Sequence, residues 1–269
     1  MTRECLRLAV LGDPLSFTLS PVLHRAGLES VGLAGVSEAL RTPVESLGPR
    51  LDELAQGGYR GVNLTIPLKE AALQHLDWVS EEARRARSVN TVSFDPGGRS
   101  GDTTDGGGLI DLLASMGRPA RRERAVLLGA GGAARSVALA LAGAGCPWCV
   151  ASARDLAAGG AAWAEIPHAA LVAWRSTAES TALAQATLVV NATPLEDPVP
   201  LERLDPRALL IDLRYGERVT EWVRRARARG LHAYDGLGLL VFQARRSLAL
   251  WTGREVPADP LARAVGWPR

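Results

Sequence analysis

Lysine is almost absent from this chain: of its 31 basic side chains only Lys69 is lysine, and the rest are arginine. Arginine is permanently protonated and forked, whereas lysine is a compact donor whose pKa can be lowered by its surroundings until it gives or takes a proton. A composition that writes arginine wherever positive charge suffices has kept one ammonium, in Gly61-Val62-Asn63-Leu64-Thr65-Ile66-Pro67-Leu68-Lys69. That makes Lys69 a catalytic candidate. Asparagine is nearly as scarce, occurring only at Asn63, Asn90 and Asn191, each within two residues of a threonine.

Concentrated charge is missing as well. The net charge is +2 and the basic residues are dispersed, which argues against the basic stripe of a nucleic-acid-binding protein. Arg224, Arg225, Arg227 and Arg229 are the densest run, and they lie on an amphipathic stretch that reads as a solvated helix face. No apolar run approaches the roughly 20 residues of a membrane span, and the N-terminus carries no charged, hydrophobic, cleavable signal. A cytoplasmic protein is expected. Three cysteines cannot build a disulfide framework. Cys146-Pro147-Trp148-Cys149 has Cys-x-x-Cys spacing, but it enters a strand rather than the exposed helix start where a thiolate is stabilised. Zinc would need two further ligands, and only Cys5 and four scattered histidines remain, so no metal is expected.

What is present is enough apolar material, 47% of 269 residues, for two moderate domains. Leu6 to Leu11 reads as a strand running into the turn Gly12-Asp13-Pro14. Ser20-Pro21 reads as N-cap and first residue of a helix reaching about Val31. A second strand is expected around Arg41 to Val44, a helix over 47–55, and a strand over 62–65 that ends at Pro67. Lys69 then falls in the first turn of the helix this proline opens, where a side chain can point into a cleft. Ser80 caps a helix to about Arg87, Val89 to Phe94 alternates as a strand, and Asp105 can cap a helix to about Met116. Strands at 124–129, 148–151, 188–191, 209–213 and 232–234 then alternate with helices, the pattern of a parallel sheet covered on both faces. Helices over 239–250 and 260–265 close the chain.

Gly129-Ala130-Gly131-Gly132-Ala133-Ala134-Arg135 follows a strand and opens a helix, which is the setting in which such glycines bind a dinucleotide. The first permits a tight turn, the second lets the backbone approach a pyrophosphate, and the helix start supplies free amides. The next strand ends Ala151-Ser152-Ala153-Arg154-Asp155, with no acid at the position that usually takes the ribose hydroxyls of NAD. Arg154 there favours NADP, while Asp155 either opposes the 2′-phosphate or merely starts the next helix.

Taken in order, the motifs resemble those of the shikimate dehydrogenase family over nearly the whole chain. Gly12-Asp13-Pro14 with Thr18-Leu19-Ser20-Pro21 and His24 is similar to its carboxylate-holding loop. Gly61 to Lys69 is similar to its catalytic-lysine motif, Ser88-Val89-Asn90-Thr91 to its substrate asparagine segment, and Gly101-Asp102-Thr103-Thr104-Asp105-Gly106 to its catalytic aspartate segment. The glycine loop, Asn191-Ala192-Thr193, Asp212-Leu213-Arg214-Tyr215 and Gly236-Leu237-Gly238-Leu239-Leu240-Val241-Phe242-Gln243 complete the set.

The resemblance implies an α/β protein of two domains. A substrate domain would span 1–104 and 238–269, with the C-terminal helices returning to it, and a Rossmann-type, doubly wound NADP-binding domain would span 105–237. It implies NADPH-dependent reduction of 3-dehydroshikimate to shikimate in chorismate and aromatic amino-acid biosynthesis. Lys69 would be the proton donor and Asp105 its partner. Thr18, Ser20, Asn63, Thr65, Asn90, Gln243 and Tyr215 would bind the substrate, and Gly129, Ala130, Gly131, Gly132, Ala133, Arg154, Asn191, Thr193 and Gly238 the cofactor. The sequence departs from the family pattern at Thr18 and Phe17, where serine and histidine are usual. It departs again at Thr103, at Ala153-Arg154-Asp155 in place of an asparagine-arginine-threonine triplet, at Gly216 and at Leu240. These keep quinate or a related hydroxylated cyclohexane acid open as substrate, with a non-catalytic nucleotide sensor as the reading from another class. Monomer and homodimer both remain open.

Overall fold

The computed structural model describes residues 5–157 and 160–269. They form two compact units, Met1–Gly108 with Leu240–Pro268, and Leu109–Leu239 with Arg269. No helix among the described residues is long and apolar enough to cross a membrane.

The first unit is built on strands β1 (Leu6–Gly12), β2 (Gly35–Arg41), β3 (Tyr59–Leu64), β4 (Trp78–Val79), β5 (Thr91–Asp95) and β6 (Gly98–Asp102), in the order β2-β1-β3-β5-β6-β4. β1 runs parallel to β2 and β3, and β5 runs antiparallel to β3 and β6. β1 and β3 are central, and every residue of 8–12 and 61–64 is buried, as in strands covered on both faces. Leu47, Leu51 and Leu54 of the helix Leu47–Gln56 pack on Ala9, Leu11, Val62 and Leu64, all essentially inaccessible. Full burial of each such leucine contributes about 1.5–3 kcal/mol before entropy is charged against it.

The expected strand at 41–44 lies earlier, at β2. Its residues alternate between exposed and half-buried, as on a sheet edge, which hides it from a hydrophobicity reading. The ladder ends where Pro43, which has no N–H, begins the short turn Val44–Ser46. Two caps also differ from expectation. Ser20 is the first helical residue of Ser20–Ser30, whose N-cap is Leu19 with no side-chain bond; Leu19 has already turned helical, so its carbonyl accepts from Val22 and Leu23. Asp105 is the first residue of the helix Asp105–Ser115, and the Thr104 carbonyl takes the first helical bond, from Gly108. Ser80 does cap its helix, accepting from the Ala83 N–H at 3.3 Å.

The helices after 240 close onto the same sheet. Trp251 Nε1 donates to the Val92 carbonyl at 3.0 Å. The indole lies so close to β3 that a Cβ on Gly61 would come 2.1 Å from that nitrogen.

The second unit holds β7 (Arg124–Leu128), β8 (Trp148–Ala153), β9 (Ala169–Ala173), β10 (Leu188–Asn191), β11 (Leu209–Asp212) and β12 (His232–Tyr234), in the order β12-β11-β10-β7-β8-β9. All pairs are parallel. The order reverses between β7 and β10, and this switch point is where open parallel sheets bind ligands. Trp222, fully buried, anchors the helix Glu221–Ala228 and donates from Nε1 to the Val199 carbonyl at 3.3 Å. On the outer face of that helix Arg224 pairs with Glu221 and Arg225 with Asp197, so its charge is largely internal. Cys146 and Cys149 are both buried, and burial pushes the Cys149 thiol up to about 12. A thiol held protonated in this way is a poor nucleophile.

Candidate active site

Strand register brings the scarce residues of the first unit together. Asn63 on β3 stands opposite Thr91 on β5, and Thr91 stands opposite Asp102 on β6, so β3 and the β5–β6 hairpin bring their functional ends side by side. Chain ends just beyond those strands supply Lys69, Asn90 and Asp105. Lys69 Nζ donates to Asp105 Oδ2 at 2.6 Å, and Asn90 Nδ2 donates to Asp105 Oδ1 at 2.8 Å. Each carboxylate oxygen therefore takes one N–H, and the aspartate is fixed from two sides. Its side chain is 8% exposed while that of Lys69 is 20% exposed. Lys69 is thus the more accessible partner of the pair, and its counter-ion is shielded from water.

Asn90 is the hub. Its Nδ2 also lies 3.1 Å from Gln243 Oε1 and 2.9 Å from Thr104 Oγ1, and its Oδ1 accepts from the Thr104 N–H at 2.8 Å. Gln243 donates in turn to the Leu240 carbonyl at 3.3 Å. Asn63 is committed on both amide atoms. Its Nδ2 donates to the Asn90 carbonyl at 2.9 Å and to Ser247 Oγ at 3.0 Å, and its Oδ1 lies 2.9 Å from His24 Nε2. Ser247, Thr91, Thr104 and His24 complete this buried network. The first three were not singled out from sequence. For Ser247 the available signal was its position one helical turn after Gln243, on the same face.

His24 is wholly buried between Ser37 and Asn63 and crosses the Trp251 ring edge-on at 5.3 Å. Burial lowers its pKa from 6.5 to about 4, opposed by the bond to Asn63. The unfolded chain thus binds this proton before the folded one does. Stability from this source is complete above pH 6.5 and falls as the pH drops toward 4, by on the order of 3 kcal/mol. Denaturant unfolding of the wild type and His24→Gln at neutral pH and near pH 4.5 measures the effect. If both lose the same stability on acidification, His24 is not its source.

Thr18 and Ser20 form a local pair, with Thr18 Oγ1 donating to Ser20 Oγ and accepting from the Ser20 N–H, each at 3.3 Å. Ser20 is buried and Thr18 half-buried. Thr65 follows β3, half-buried, with its N–H on the Leu11 carbonyl at 2.9 Å. Tyr215 belongs to the second unit, half-buried, three residues past the end of β11.

The glycine loop leaves β7 at the switch point. Gly129 has φ +106°, open to glycine and strained for other residues, and a Cβ there would come 3.0 Å from Thr193 Cγ2. Ala130 follows, and Gly131 is the N-cap of the helix Gly132–Gly143, whose first turn contains Ala133. A Cβ on Gly131 would meet nothing within 4 Å, so its backbone faces open space beside free helix-start amides. A helix start of this kind suits a pyrophosphate. Thr193 is held to the loop's flank by Asn191, whose Oδ1 accepts from the Thr193 N–H at 3.0 Å and its hydroxyl at 2.7 Å. Asn191 in turn donates to buried Asp212 at 2.9 Å. Arg154 is exposed just beyond β8, and Gly238 is buried in the first turn of the helix Leu237–Thr252.

This geometry has close counterparts. The family model described as the shikimate dehydrogenase substrate binding domain matches residues 10–92, and that described as the shikimate 5′-dehydrogenase C-terminal domain matches residues 236–265. A shikimate dehydrogenase (NADP(+)) from one strain of Thermus thermophilus is 43% identical over 258 residues, which cover 92% of this chain and 93% of that protein. The chain belongs to the shikimate dehydrogenase family. The crystal structure of shikimate 5-dehydrogenase from a second strain of Thermus thermophilus, in complex with NADP(H) and shikimate, superposes with a TM-score of 0.86 at 40% identity, covering 97% of this chain and 98% of that one. A quinate dehydrogenase from Corynebacterium glutamicum in complex with NAD has a TM-score of 0.84 at 28% identity, covering 97% and 98%.

Family membership gives the departures their meaning. In this member of the shikimate dehydrogenase family Phe17 is 40% exposed, the neighbouring Thr18 adds a methyl group where serine is usual, and the Gly216 carbonyl accepts from Arg269 at 2.8 Å.

Proposed function

We propose that this chain is an NADP-dependent shikimate dehydrogenase, an oxidoreductase that reversibly reduces 3-dehydroshikimate to shikimate on the route to chorismate and the aromatic amino acids. The reading rests on the part-buried 2.6 Å Lys69–Asp105 pair, clamped by Asn90. Bound NADPH supplies the hydride. A ketone that gains hydride develops negative charge on its oxygen, and a donor within hydrogen-bond reach lowers that barrier. Lys69 Nζ gives the proton, and in the reverse direction takes it from the hydroxyl. Asp105 holds the ammonium in place through its Oδ2, 2.6 Å from Nζ.

Thr18 and Ser20 take the substrate carboxylate through neutral hydroxyls, while Thr65, Asn90, Gln243 and Tyr215 take the ring hydroxyls. Asn63 contributes by fixing the Asn90 backbone. The glycine loop with Asn191 and Thr193 holds the pyrophosphate, Gly238 lets the backbone approach the cofactor, and Arg154 faces the 2′-phosphate. Tyr215 apart, the substrate-binding role falls to the first unit, and the NADP-binding role falls to the second. The enzyme works in the cytoplasm, as a monomer or homodimer that light scattering distinguishes.

Thr18 favours a second reading, since its extra methyl group alters the carboxylate pocket and could favour quinate. Purified protein assayed with shikimate and quinate, each with NADP and NAD, decides by reduced-nicotinamide absorbance. Shikimate with NADP is expected to give the highest kcat/KM, by about tenfold or more, the scale of one pocket group. A quinate maximum would move the substrate assignment, and binding of NADP without turnover at any pH would leave a nucleotide sensor.

A further inference from the structure

β8 and β9 lie side by side and parallel, with Ala153 opposite Ala173, and the pairing continues one step as the Trp174 N–H donates to the Ala153 carbonyl at 2.9 Å. Just past these carboxyl ends stand Arg154 on one strand and Trp174-Arg175 on the other. Both guanidinium groups lie against the same indole, Arg175 Cζ at 4.6 Å from the Trp174 ring centroid and Arg154 Cζ at 5.9 Å. Each stacking at an exposed site stabilises by only about 0.5–1 kcal/mol, and the two cations repel one another. The arrangement is therefore best satisfied by an anion.

Arg175 is also held, not loose. Its φ of +59° is uncommon for a large residue, and its N–H is fixed by Glu179 Oε2 at 2.8 Å. Glu179 is itself buried, and its N–H donates to the capping Ser176 Oγ at 3.2 Å. Backbone conformations of this kind persist where surrounding structure over-determines them, and they cluster at ligand clamps. The acid beside Arg154 is directed elsewhere, since Asp155 Oδ1 accepts from the Ala157 N–H at 2.8 Å and closes its own turn.

We propose that Arg175 is a second reader of the cofactor's ribose 2′-phosphate, completing with Arg154 a two-arginine site around Trp174 at the ends of β8 and β9. The inference rests on the NADP reading above. In a doubly wound sheet the ribose lies at the end of the strand that follows the glycine-loop strand, here β8. A phosphate dianion there accepts charge-assisted hydrogen bonds from both guanidinium groups and offsets their mutual repulsion. A 2′-hydroxyl does neither. Ala153 has no side-chain donor, so the second cation supplies phosphate contacts that the strand end itself does not.

Calorimetric titration of the full-length protein with NADP, NAD and 2′,5′-ADP tests this without turnover. Arg175→Gln is expected to weaken NADP and 2′,5′-ADP by about tenfold and NAD by less than about twofold, the scale of one charge-assisted contact. Arg175→Lys should recover part of the loss, and rising ionic strength should narrow the wild type's preference for NADP. The side chain is exposed, so unchanged thermal unfolding is expected and serves as the folding control. A wild type that prefers NADP while Arg175→Gln keeps that preference in full overturns the inference alone, as do equal losses for NADP and NAD. A wild type that binds NADP no tighter than NAD overturns the cofactor reading with it.

Discussion

Lys69→Ala is expected to lower kcat by about 10³-fold, within the range that one positioned general acid contributes, while the dissociation constant for NADP stays close to that of the wild type. The two effects separate because Lys69 lies in the first unit and the glycine loop in the second. Truncation removes the ammonium placed on Asp105 Oδ2 and leaves Asp105 held from the Asn90 side. Lys69→Arg is the sharper comparison. It keeps the charge and the pairing to Asp105, but the forked guanidinium gives up a proton at no accessible pH. Steady-state kinetics of both variants, with NADP binding measured by calorimetry, distinguishes proton transfer from electrostatics. If the arginine variant turns over like the wild type, positive charge alone is the requirement and the scarcity of lysine means nothing.

The second unit is the more legible half in sequence. β7, β10 and β11 are short apolar runs bounded by turns, and burial on both faces of a parallel sheet makes hydrophobicity a sufficient signal. β9 escaped because Ala169–Ala173 is alanine-rich and half-exposed, with weak strand propensity. β6 escaped for a related reason. Gly98–Asp102 has no apolar side chain at all and is a strand only because β5 pairs with it across the tight turn Pro96-Gly97, after which Gly98 has φ +119°. Pairing of this kind is a tertiary effect that no local window contains. The site shows the same division. Lys69 and the asparagines stood out through scarcity, a compositional signal, whereas Thr91, Thr104 and Ser247 are common residue types whose importance lies in which polar atom they satisfy. The Ser20 cap was misplaced by one residue because Pro21 is acceptable at the first or second helical position alike.

Asp105→Asn is expected to lower kcat by about 10²–10³-fold and to cost about 1–3 kcal/mol of stability, although it changes no atom count and almost no volume. A carboxylate offers an acceptor on each side, and here each side is used, one by Lys69 and one by Asn90. The introduced amide accepts on one side only. Directed toward Asn90, its oxygen leaves an N–H facing the Lys69 ammonium; flipped, it sets N–H against N–H at Asn90. Either choice displaces the proton donor or the hub that also holds Gln243 and Thr104. Kinetics with shikimate varied should show kcat falling while NADP affinity is unchanged, since no glycine-loop residue is involved. Because Lys69 acts through the placement Asp105 gives it, combining Asp105→Asn with Lys69→Ala should lower kcat little beyond Lys69→Ala alone. Full multiplication of the two losses would mean that the residues contribute independently and that the dyad is not a functional unit.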